Sequence, residues 1–559
     1  MNEWHAESLF VVDDAQPPID MMEQCNRCSV ERLNDIGIAL SAERNADRLM
    51  ELILLGAKEL TRADAGTMYR LTERQTLKFE ILRTDSLGIA MGGSTGIPIH
   101  FPELPLYENG APNLRMIAVY AALKETTINI PDAYETKEFD FSGTRAFDQK
   151  NHYHSQSFLT VPLKNHLNEI IGVMQLINAK DPNTNKIIPF SARNQKLAES
   201  LASQAAIALT NQKLIADLKA LFESFIQTIA SAIDEKSPYT GGHCHRVPVL
   251  AEKLGVAASE IQEGPLKDFH LSDEEMYELK IAAWLHDCGK VVTPTEVVDK
   301  GTKLETIFDR IHLVDTRLEV VKKELKIRLL EEKIALLEAG TGSDFTALEE
   351  RFQQECARLD ADRAFLRTTN IGGEFMSPQS QERVREIARA RWIDPDGQET
   401  TLLTDDEVYN LNIPKGTITP EERTIINNHV VATIKMLSVI PFPKHLKNVP
   451  EIAGSHHEQM NGKGYPRGLT GEQMSIQARI MAIADVFEAL TAQDRPYKKG
   501  KTLSESLKIL GFMKKEGHID PDLFKVFIDK GVYLDYALAY LAPEQNDTVH
   551  PEAIPGYAA

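Results

Sequence analysis

Cysteine is scarce in this chain. Five thiols in 559 residues, an odd number spread over the whole length, cannot build a disulfide framework, and they read as reduced thiols. Long apolar runs are missing as well. The longest stretches, such as Ile170 to Ile177, fall far short of the roughly 20 residues that span a bilayer, and Met1 to Asp20 has no basic-then-apolar signal pattern. No membrane association is expected, and the chain is predicted to stay in the cytoplasm. Positive charge is in deficit: 62 Lys and Arg against 82 Asp and Glu leave a formal charge of -20. That balance excludes a general binder of nucleic acid polymers, which needs a broad basic footprint to release counterions from phosphates. A polyanionic substrate would have to meet locally clustered Lys and Arg.

What is present is an ordinary globular composition, 42% hydrophobic and 26% charged, on a chain too long for one core. Length alone predicts about three or four domain-sized units, fewer if one is large. Residues 1–29, mixed in charge and containing Gln16-Pro17-Pro18, read as an N-terminal arm. Cys25 and Cys28 form a C-x-x-C within it, but no second pair follows to complete a zinc site, and they read as incidental thiols. From Glu31 to Thr61 the positions Leu33, Ile36, Leu40, Leu49, Leu52, Ile53 and Leu60 predict helices, and Asp64 to Leu82 predicts short strands. After a loop-rich middle from Gly92 to Tyr153, Phe158 to Leu163 and Ile170 to Asn178 read as two strands joined by a polar turn. A helix follows Phe190.

These two strands, the Phe190 that follows and the helix from Ala202 to Asn211 resemble the C-terminal half of a GAF domain, so that residues 30–212 form an α+β unit of that family. The resemblance implies a sensory module with a small-molecule ligand that the sequence does not name. Residues 194–236 lack Pro and Gly and read as a connecting helix. Leu214, Leu218, Leu221, Phe225 and Ala232, with Thr228 at one core position, fit a coiled-coil seam of about three heptads, which makes a parallel homodimer plausible beside the alternative of one amphipathic helix packed on its own domain. Further on, residues 301–412 carry Leu304, Ile307, Ile311, Leu318, Val321, Leu325, Leu329, Ile334 and Leu337 at helical spacing, then a second helical run from Phe345 to Leu366, then a Gly- and Pro-rich stretch from Gly372 to Gly397. They read as an inserted helical hairpin in which nothing looks catalytic.

The C-terminal half holds a spaced set of metal-ligand types: His243, His286-Asp287, His429, His456-His457 and Asp485. Imidazole and carboxylate hold hard or borderline divalent ions, and a carboxylate can bridge two of them. Asp485 lies in the otherwise apolar run Ala478 to Val486, where a carboxylate is costly unless paired or bound to a cation. Lys290 follows His286 by four residues, so both could face one cavity if the helix continued through Gly289.

Taken in order, His243 with Arg246-Val247, His286-Asp287-Cys288-Gly289-Lys290, His429, His456-His457-Glu458 with Gly464-Tyr465-Pro466, Ala478-Arg479-Ile480 to Asp485, and Asp494-Arg495-Pro496-Tyr497 resemble the HD-GYP family of metal-dependent cyclic dinucleotide phosphodiesterases. The resemblance covers residues 222–300 and 413–530, and it implies an all-α domain over 222–545 with the insertion inside it. The overall fold class is then multidomain: an α+β GAF domain, a long connecting helix and an all-α HD-GYP domain.

Carried over position by position, the resemblance implies two divalent ions, iron or manganese. His243, His286, Asp287 and Asp485 would hold one, and Asp287, His429, His456 and His457 the other. Asp287 and Lys290 are the candidate catalytic residues. Gly464, Tyr465, Pro466, Arg479, Arg495 and Lys498 are candidates for substrate contact, Arg479 alternatively a structural ion-pair partner. The implied substrate is cyclic di-GMP, hydrolysed to pGpG and/or GMP. Cyclic GMP-AMP or another nucleotide is the alternative substrate, and a receptor without turnover the alternative function. The sequence departs from the family in three places. Tyr239 stands where some members have a Glu for a third metal, with Glu235 too far off to replace it; Asn461 replaces the usual Asp; and Gln493 reads as one extra residue before Arg495.

Overall fold

The computed structural model describes residues 19–236, 242–340, 344–373, 375–493 and 500–557. They divide into two compact units, with the boundary between Leu221 and Phe222.

The first unit opens with α1 (Ile19–Ala42) and α2 (Ala46–Thr61). The part of the expected arm that is described, from Ile19 onward, is helical, and the sequence there meets no breaker before Gly37; its mixed charge hides the period. Asn45 starts α2 by accepting the Arg48 N–H at 3.0 Å, and Arg62 ends it in the left-handed region. A meander follows, β1 (Ala63–Leu71), β2 (Thr76–Thr84) and β3 (Ile89–Gly92), then the short strands β4 (Leu104–Pro105), β5 (Tyr107–Glu108) and β6 (Ala111–Pro112). The middle expected to be loop also carries α3 (Ile117–Lys124), β7 (Ile128–Ile130) and α4 (Ser142–Asn151), elements too short for a periodic signal. The strands β8 (Phe158–Lys164), β9 (Ile170–Lys180) and β10 (Ile187–Ile188) complete the sheet.

Its order is β3-β2-β1-β9-β8-β7, with each neighbouring pair antiparallel. One face packs Met68 and Leu176 against Leu49, Ile53, Leu54, Leu201 and Ala205. The other packs Tyr69 and Val173 against Val119 and Ala122 of α3.

Helix α5 (Ala192–Lys236) is 45 residues long and contains the unit boundary. Leu214, Leu218, Leu221 and Phe225 are each more than half exposed, whereas Ile226, Ala230 and Ile233 are buried in the core of the second unit. That unit continues with α6 (His243–Ser259), α7 (Asp273–Leu285) and α8 (Thr295–Val298). After the insertion come α13 (Pro420–Ser438), α14 (Val449–Ala453), α15 (Ile476–Thr491), α16 (Leu503–Lys515), α17 (Pro521–Asp529) and α18 (Val532–Tyr540), preceded within the insertion by α9 (Ile311–Glu338), α10 (Thr346–Ile371), α11 (Pro378–Ala388) and α12 (Asp405–Leu411). One apolar core joins α6, α7, α15, α16, α17 and α18 through Leu250, Leu254, Leu279, Ile483, Phe487, Leu507, Phe524 and Tyr536.

The insertion is more than a hairpin. Its stretch after Gly372 forms α11, a two-stranded ribbon of β11 (Arg391–Ile393) and β12 (Glu399–Thr401), and α12. Pro378 opens α11 rather than breaking it, because the first helical position has no N–H to lose, and Ser377 caps it. Leu318, Leu359, Leu366, Val384, Ile387, Leu402 and Leu411 form a separate core. Buried Lys300 ties the two ends of the insertion together, donating to Asn410 Oδ1 at 3.0 Å and to Glu422 at 2.8 Å.

Candidate metal centre

Each ligand candidate is delivered by a helix end or a buried helix face. Helix α6 starts at His243, directly after Gly242 in the left-handed region (φ 83°). Helix α7 is opened by a reciprocal cap between Ser272 and Glu275 and buries Leu279, Ile281, Ala282 and Ala283. It ends at Leu285, with His286 as its last half-turn. Asp287 then leaves the helical region, and a 3-10 turn, Cys288–Val292, follows.

The helix therefore does not continue through Gly289, as the sequence reading of Lys290 required. The reason is packing. Gly289 crosses α13 so closely that a Cβ there would lie 2.0 Å from the His429 carbonyl oxygen. Its N–H donates to Thr433 Oγ1 at 2.9 Å, and the Thr433 hydroxyl donates on to the His286 carbonyl at 3.1 Å. Lys290 still reaches the cluster, across the turn, with its ammonium 2.5 Å from Asp287 Oδ2.

Thr419 and Glu422 cap α13, with Pro420 at its first position, and the helix turns His429 inward with Val430, Thr433 and Leu437. His456 and His457 leave the end of α14. Asp485 sits on the buried face of α15 between Ile483 and Phe487.

The geometry centres on Asp287. Its Oδ2 lies 3.3 Å from His243 Nε2 and 3.3 Å from His286 Nε2, while its Oδ1 lies 3.2 Å from His429 Nε2 and 3.9 Å from His456 Nε2. Asp485 spans the same divide, with Oδ1 3.3 Å from His243 Nε2 and Oδ2 3.9 Å from His457 Nδ1. One carboxylate thus presents an oxygen to each of two groups: His243 and His286 on one side, and His429, His456 and His457 on the other.

The distal nitrogens are fixed. Nδ1 of His286, His429 and His456 lies 2.8, 2.6 and 2.6 Å from the carbonyls of Ala283, Ile426 and Ala453, each three residues back, an arrangement that fits a proton on Nδ1 and turns Nε2 inward. His243 Nδ1 instead meets Glu488, whose other oxygen accepts from Arg246 Nε at 2.7 Å. Asp287 Oδ1, His429 Nε2 and His456 Nε2 are buried without a hydrogen-bond partner. Three orphaned acceptors converging in a buried site is a costly arrangement in an apo protein and a fitting one for cations. These residues fit a pair of divalent ions.

Charge divides the cluster. At His243 burial favours the neutral ring, but the Glu488, Asp287 and Asp485 carboxylates prevail and hold its pKa well above the ordinary value. His286 behaves alike: burial opposes, Asp287 and Asp485 win, and its pKa is raised to about 9. On the other side burial drives His456 well below the usual range, with the neighbouring His457 and His286 adding to it. Burial also takes His457 down to about 4, against the pull of Asp485. Asp287 and Asp485 stay ionised despite burial because Lys290 and His286 surround the first, and His243 and His286 the second.

Among the substrate-contact candidates, Tyr465 lies against His457 with ring centroids 4.8 Å apart. Its loop is pinned by buried Glu458, which accepts the N–H groups of Arg467 and Leu469 at 2.8 Å each. Gly464 has no room for a side chain, since a Cβ would lie 2.4 Å from the Gln459 nitrogen and from Glu458 Cα. Arg479 is not brought to the cluster. Its guanidinium pairs with Asp520 at 3.1 Å and donates to the carbonyls of Gly471 and Met474, so the structural alternative describes its contacts. Tyr239, Arg495 and Lys498 lie outside the described residues. Asn461 makes a bond that an Asp could not, donating from Nδ2 to the Glu516 carbonyl at 2.8 Å. Sequence reasoning missed Glu488; the signal was there, one helical turn after Asp485 in the same apolar run.

Comparison with known proteins agrees with this division. Residues 45–209 match the GAF domain family, and residues 403–523 match the HD domain family. The chain combines a GAF domain with a helical HD domain. The second match begins beyond most of the insertion, so it includes His429, His456, His457 and Asp485; folding brings in His243, His286 and Asp287 from before it.

The chain is 37% identical over 132 residues to a cyclic di-GMP phosphodiesterase of Pseudomonas aeruginosa, covering 23% of this chain and 30% of that protein. It is 36% identical over 339 residues to 3'3'-cGAMP-specific phosphodiesterase 2 of Vibrio cholerae, covering 61% of this chain and 40% of the relative. A cyclic di-GMP phosphodiesterase of Thermotoga maritima is 25% identical over 274 residues, 46% of this chain and 70% of its own length. The chain thus spans less than half the length of the first two. Among the described residues no helix is long and apolar enough to cross a membrane.

Proposed function

We propose that this protein is a metal-dependent phosphodiesterase that hydrolyses cyclic di-GMP to pGpG and/or GMP, under the control of a small molecule at its GAF domain. The observation that carries the reading is the position of Asp287, whose two oxygens face two separate histidine groups that include orphaned buried acceptors. The names of the relatives support the substrate class. In this reading His243, His286, Asp287 and Asp485 would hold one ion, and Asp287, His429, His456 and His457 the other. Such a donor set suits borderline divalent ions, with iron and manganese the candidates. When bound, the pair supplies positive charge to the phosphoryl group and lowers the pKa of water.

The rest of the chemistry falls to the protein. Asp287 stays ionised, and Lys290 brings a cation to the edge of the site, where it favours a phosphodiester. Burial holds the His456 and His457 rings neutral, so an incoming cation need not displace an acid proton from either. Tyr465, set against His457 by the loop that Glu458 pins, offers an aromatic wall to a purine base. Arg495 and Lys498 are proposed to grip the second phosphate or a guanine. The exposed apolar positions Leu214, Leu218, Leu221 and Phe225 on α5 support a homodimer in which two copies of that helix pair.

The test is turnover of the full chain, loaded with manganese or iron, on a panel of cyclic di-GMP, cyclic GMP-AMP, cyclic di-AMP and nucleoside phosphates, with products identified by chromatography. Release of pGpG from cyclic di-GMP is expected. Inactivity on every cyclic dinucleotide would defeat the reading. A second reading, with cyclic GMP-AMP as the preferred substrate, is favoured by the 339-residue alignment with a relative named as specific for it; the same panel separates the two.

A further inference from the structure

The turn that presents Asp287 and Lys290 has an attachment that the chemistry above does not use. Lys236, the last residue of α5, extends its ammonium into the end of that turn and donates to the carbonyl oxygens of Lys290, Val291 and Thr293 at 2.9, 2.6 and 2.6 Å. An ammonium has three N–H donors, and all of them are used here. The turn closes on itself through the Thr293 N–H, which donates to the Lys290 carbonyl at 3.1 Å, and the ammonium binds that carbonyl together with those of Val291 and Thr293, holding the end of the turn in place.

Two residues earlier on the same helix, buried Asp234 does the opposite job for α6. Its Oδ2 accepts the Gly242 N–H at 3.1 Å and its Oδ1 the Cys244 N–H at 3.3 Å, the two amides that flank His243. Those amides belong to the first turn of a helix, where N–H groups lack intrahelical acceptors and a carboxylate is favoured. The final turn of α5 therefore carries an anion fastened to the backbone around His243 and a cation fastened to the backbone after Asp287 and Lys290.

We infer that Asp234 and Lys236 are positioning residues of the metal centre, and that the last turn of α5 is the mechanical input to it. The inference rests on the metal-site reading above. The turn at Cys288–Val292 is suspended between two supports, Thr433 of α13 through the Gly289 N–H and Lys236 of α5 through three carbonyls. A rotation or withdrawal of α5 by even one hydrogen-bond length releases the second support and frees the aspartate that faces both histidine groups. Because α5 is one continuous helix that begins in the GAF-bearing unit, such a displacement is available to a sensor signal.

The test uses the full chain, stripped of metal, as Lys236→Met and Asp234→Asn beside the parent. Hydrogen exchange of the amides of residues 286–293 is expected to quicken in Lys236→Met, and that of residues 242–246 in Asp234→Asn, while peptides from α13 and α17 keep their parental rates. Manganese titrated into each variant is expected to bind about tenfold more weakly or worse, the loss typical when a partner behind a metal ligand is removed. Unchanged exchange at 286–293 with unchanged manganese affinity overturns the inference, and so does a uniform rise across the helical unit, which marks a general loss of stability. Should Lys236→Met fail to fold, Lys236→Arg carries the test, since it keeps a cation but cannot match the three-way fit; parental exchange and affinity in that variant count against the inference. Exchange and metal affinity are read without substrate. Failure of the parent to cleave any cyclic dinucleotide would defeat the proposed function and leave this result standing.

Discussion

The two sides of the candidate metal centre are built from the same imidazoles and behave in opposite ways. His243 and His286 sit among Asp287, Asp485 and Glu488, and their protons are held tightly. His429, His456 and His457 sit chiefly among one another, and burial keeps His456 and His457 neutral. Ligand type alone does not fix how ready a site is for a cation; the neighbouring charge does. The carboxylate-rich side attracts a cation strongly but must give up protons to bind it, whereas on the imidazole side His456 and His457 are already neutral and the negative charge comes from Asp287 Oδ1 and, farther off, Asp485 Oδ2.

The comparison breaks most completely at Asp287, which both sides share. Asp287→Ala is expected to abolish binding of both ions, measured as metal content per chain, and to lower kcat by at least about a thousandfold, the upper range for loss of one electrostatic stabiliser. A variant that keeps one ion at full occupancy would show that the sides do not depend on a common bridge. Glu488→Gln should separate them instead. It removes the charge behind His243 without changing shape, so the ion on that side is expected to bind about 10- to 100-fold more weakly while the imidazole side is unchanged, as resolved by sequential manganese titration. Equal weakening of both sides would contradict the division.

Proton release sharpens the contrast further. In metal-free protein His286 holds its proton up to about pH 9, so an ion arriving at pH 7 must displace it. Affinity on that side is expected to rise with pH through neutrality and on toward pH 9, because His243 holds its proton as well as His286. His457 is neutral above about pH 4, so the other side should show little pH dependence between pH 6 and 8. Calorimetry of manganese binding in buffers of different ionisation enthalpy counts the protons. Release of equal numbers at the two binding steps would contradict the assignment.

The convergence of these side chains was legible in the sequence because the candidate ligands come in short motifs at helix ends, where residue type and order carry the information. His286-Asp287, His456-His457 and Asp485 in an apolar run are local signals. What was not legible depends on contacts between distant segments. The helix before Lys290 stops at Leu285 because Gly289 meets the His429 carbonyl, a fact of α13 and not of the motif. Arg479 finds Asp520 some forty positions away, and Lys236 finds carbonyls beyond residue 289. In the insertion, Gly and Pro suggested loop where Pro378 in fact opens a helix and Gly397 lets β11 turn back to β12. Breaker residues mark element edges as well as absences, and their neighbours decide which.

The smallest expected effect tests whether the loop after His457 belongs to either side. Asn461 donates from Nδ2 to the Glu516 carbonyl at 2.8 Å and accepts the Lys463 N–H on Oδ1 at 2.9 Å. Asn461→Asp, which restores the acid of the family pattern, keeps the acceptor and loses the donor, setting a carboxylate oxygen against a carbonyl. The cost is about 1 kcal/mol, which for a unit of this size lowers the melting temperature by about 1–2 °C. Because both partners of Asn461 are backbone groups of the loop and of the end of α16, neither histidine group changes its surroundings, and manganese affinity should stay within about twofold on both sides. A larger change confined to the imidazole side would mean that the loop carrying Tyr465 sets the position of His457, and the boundary of that side would have to be redrawn to include it.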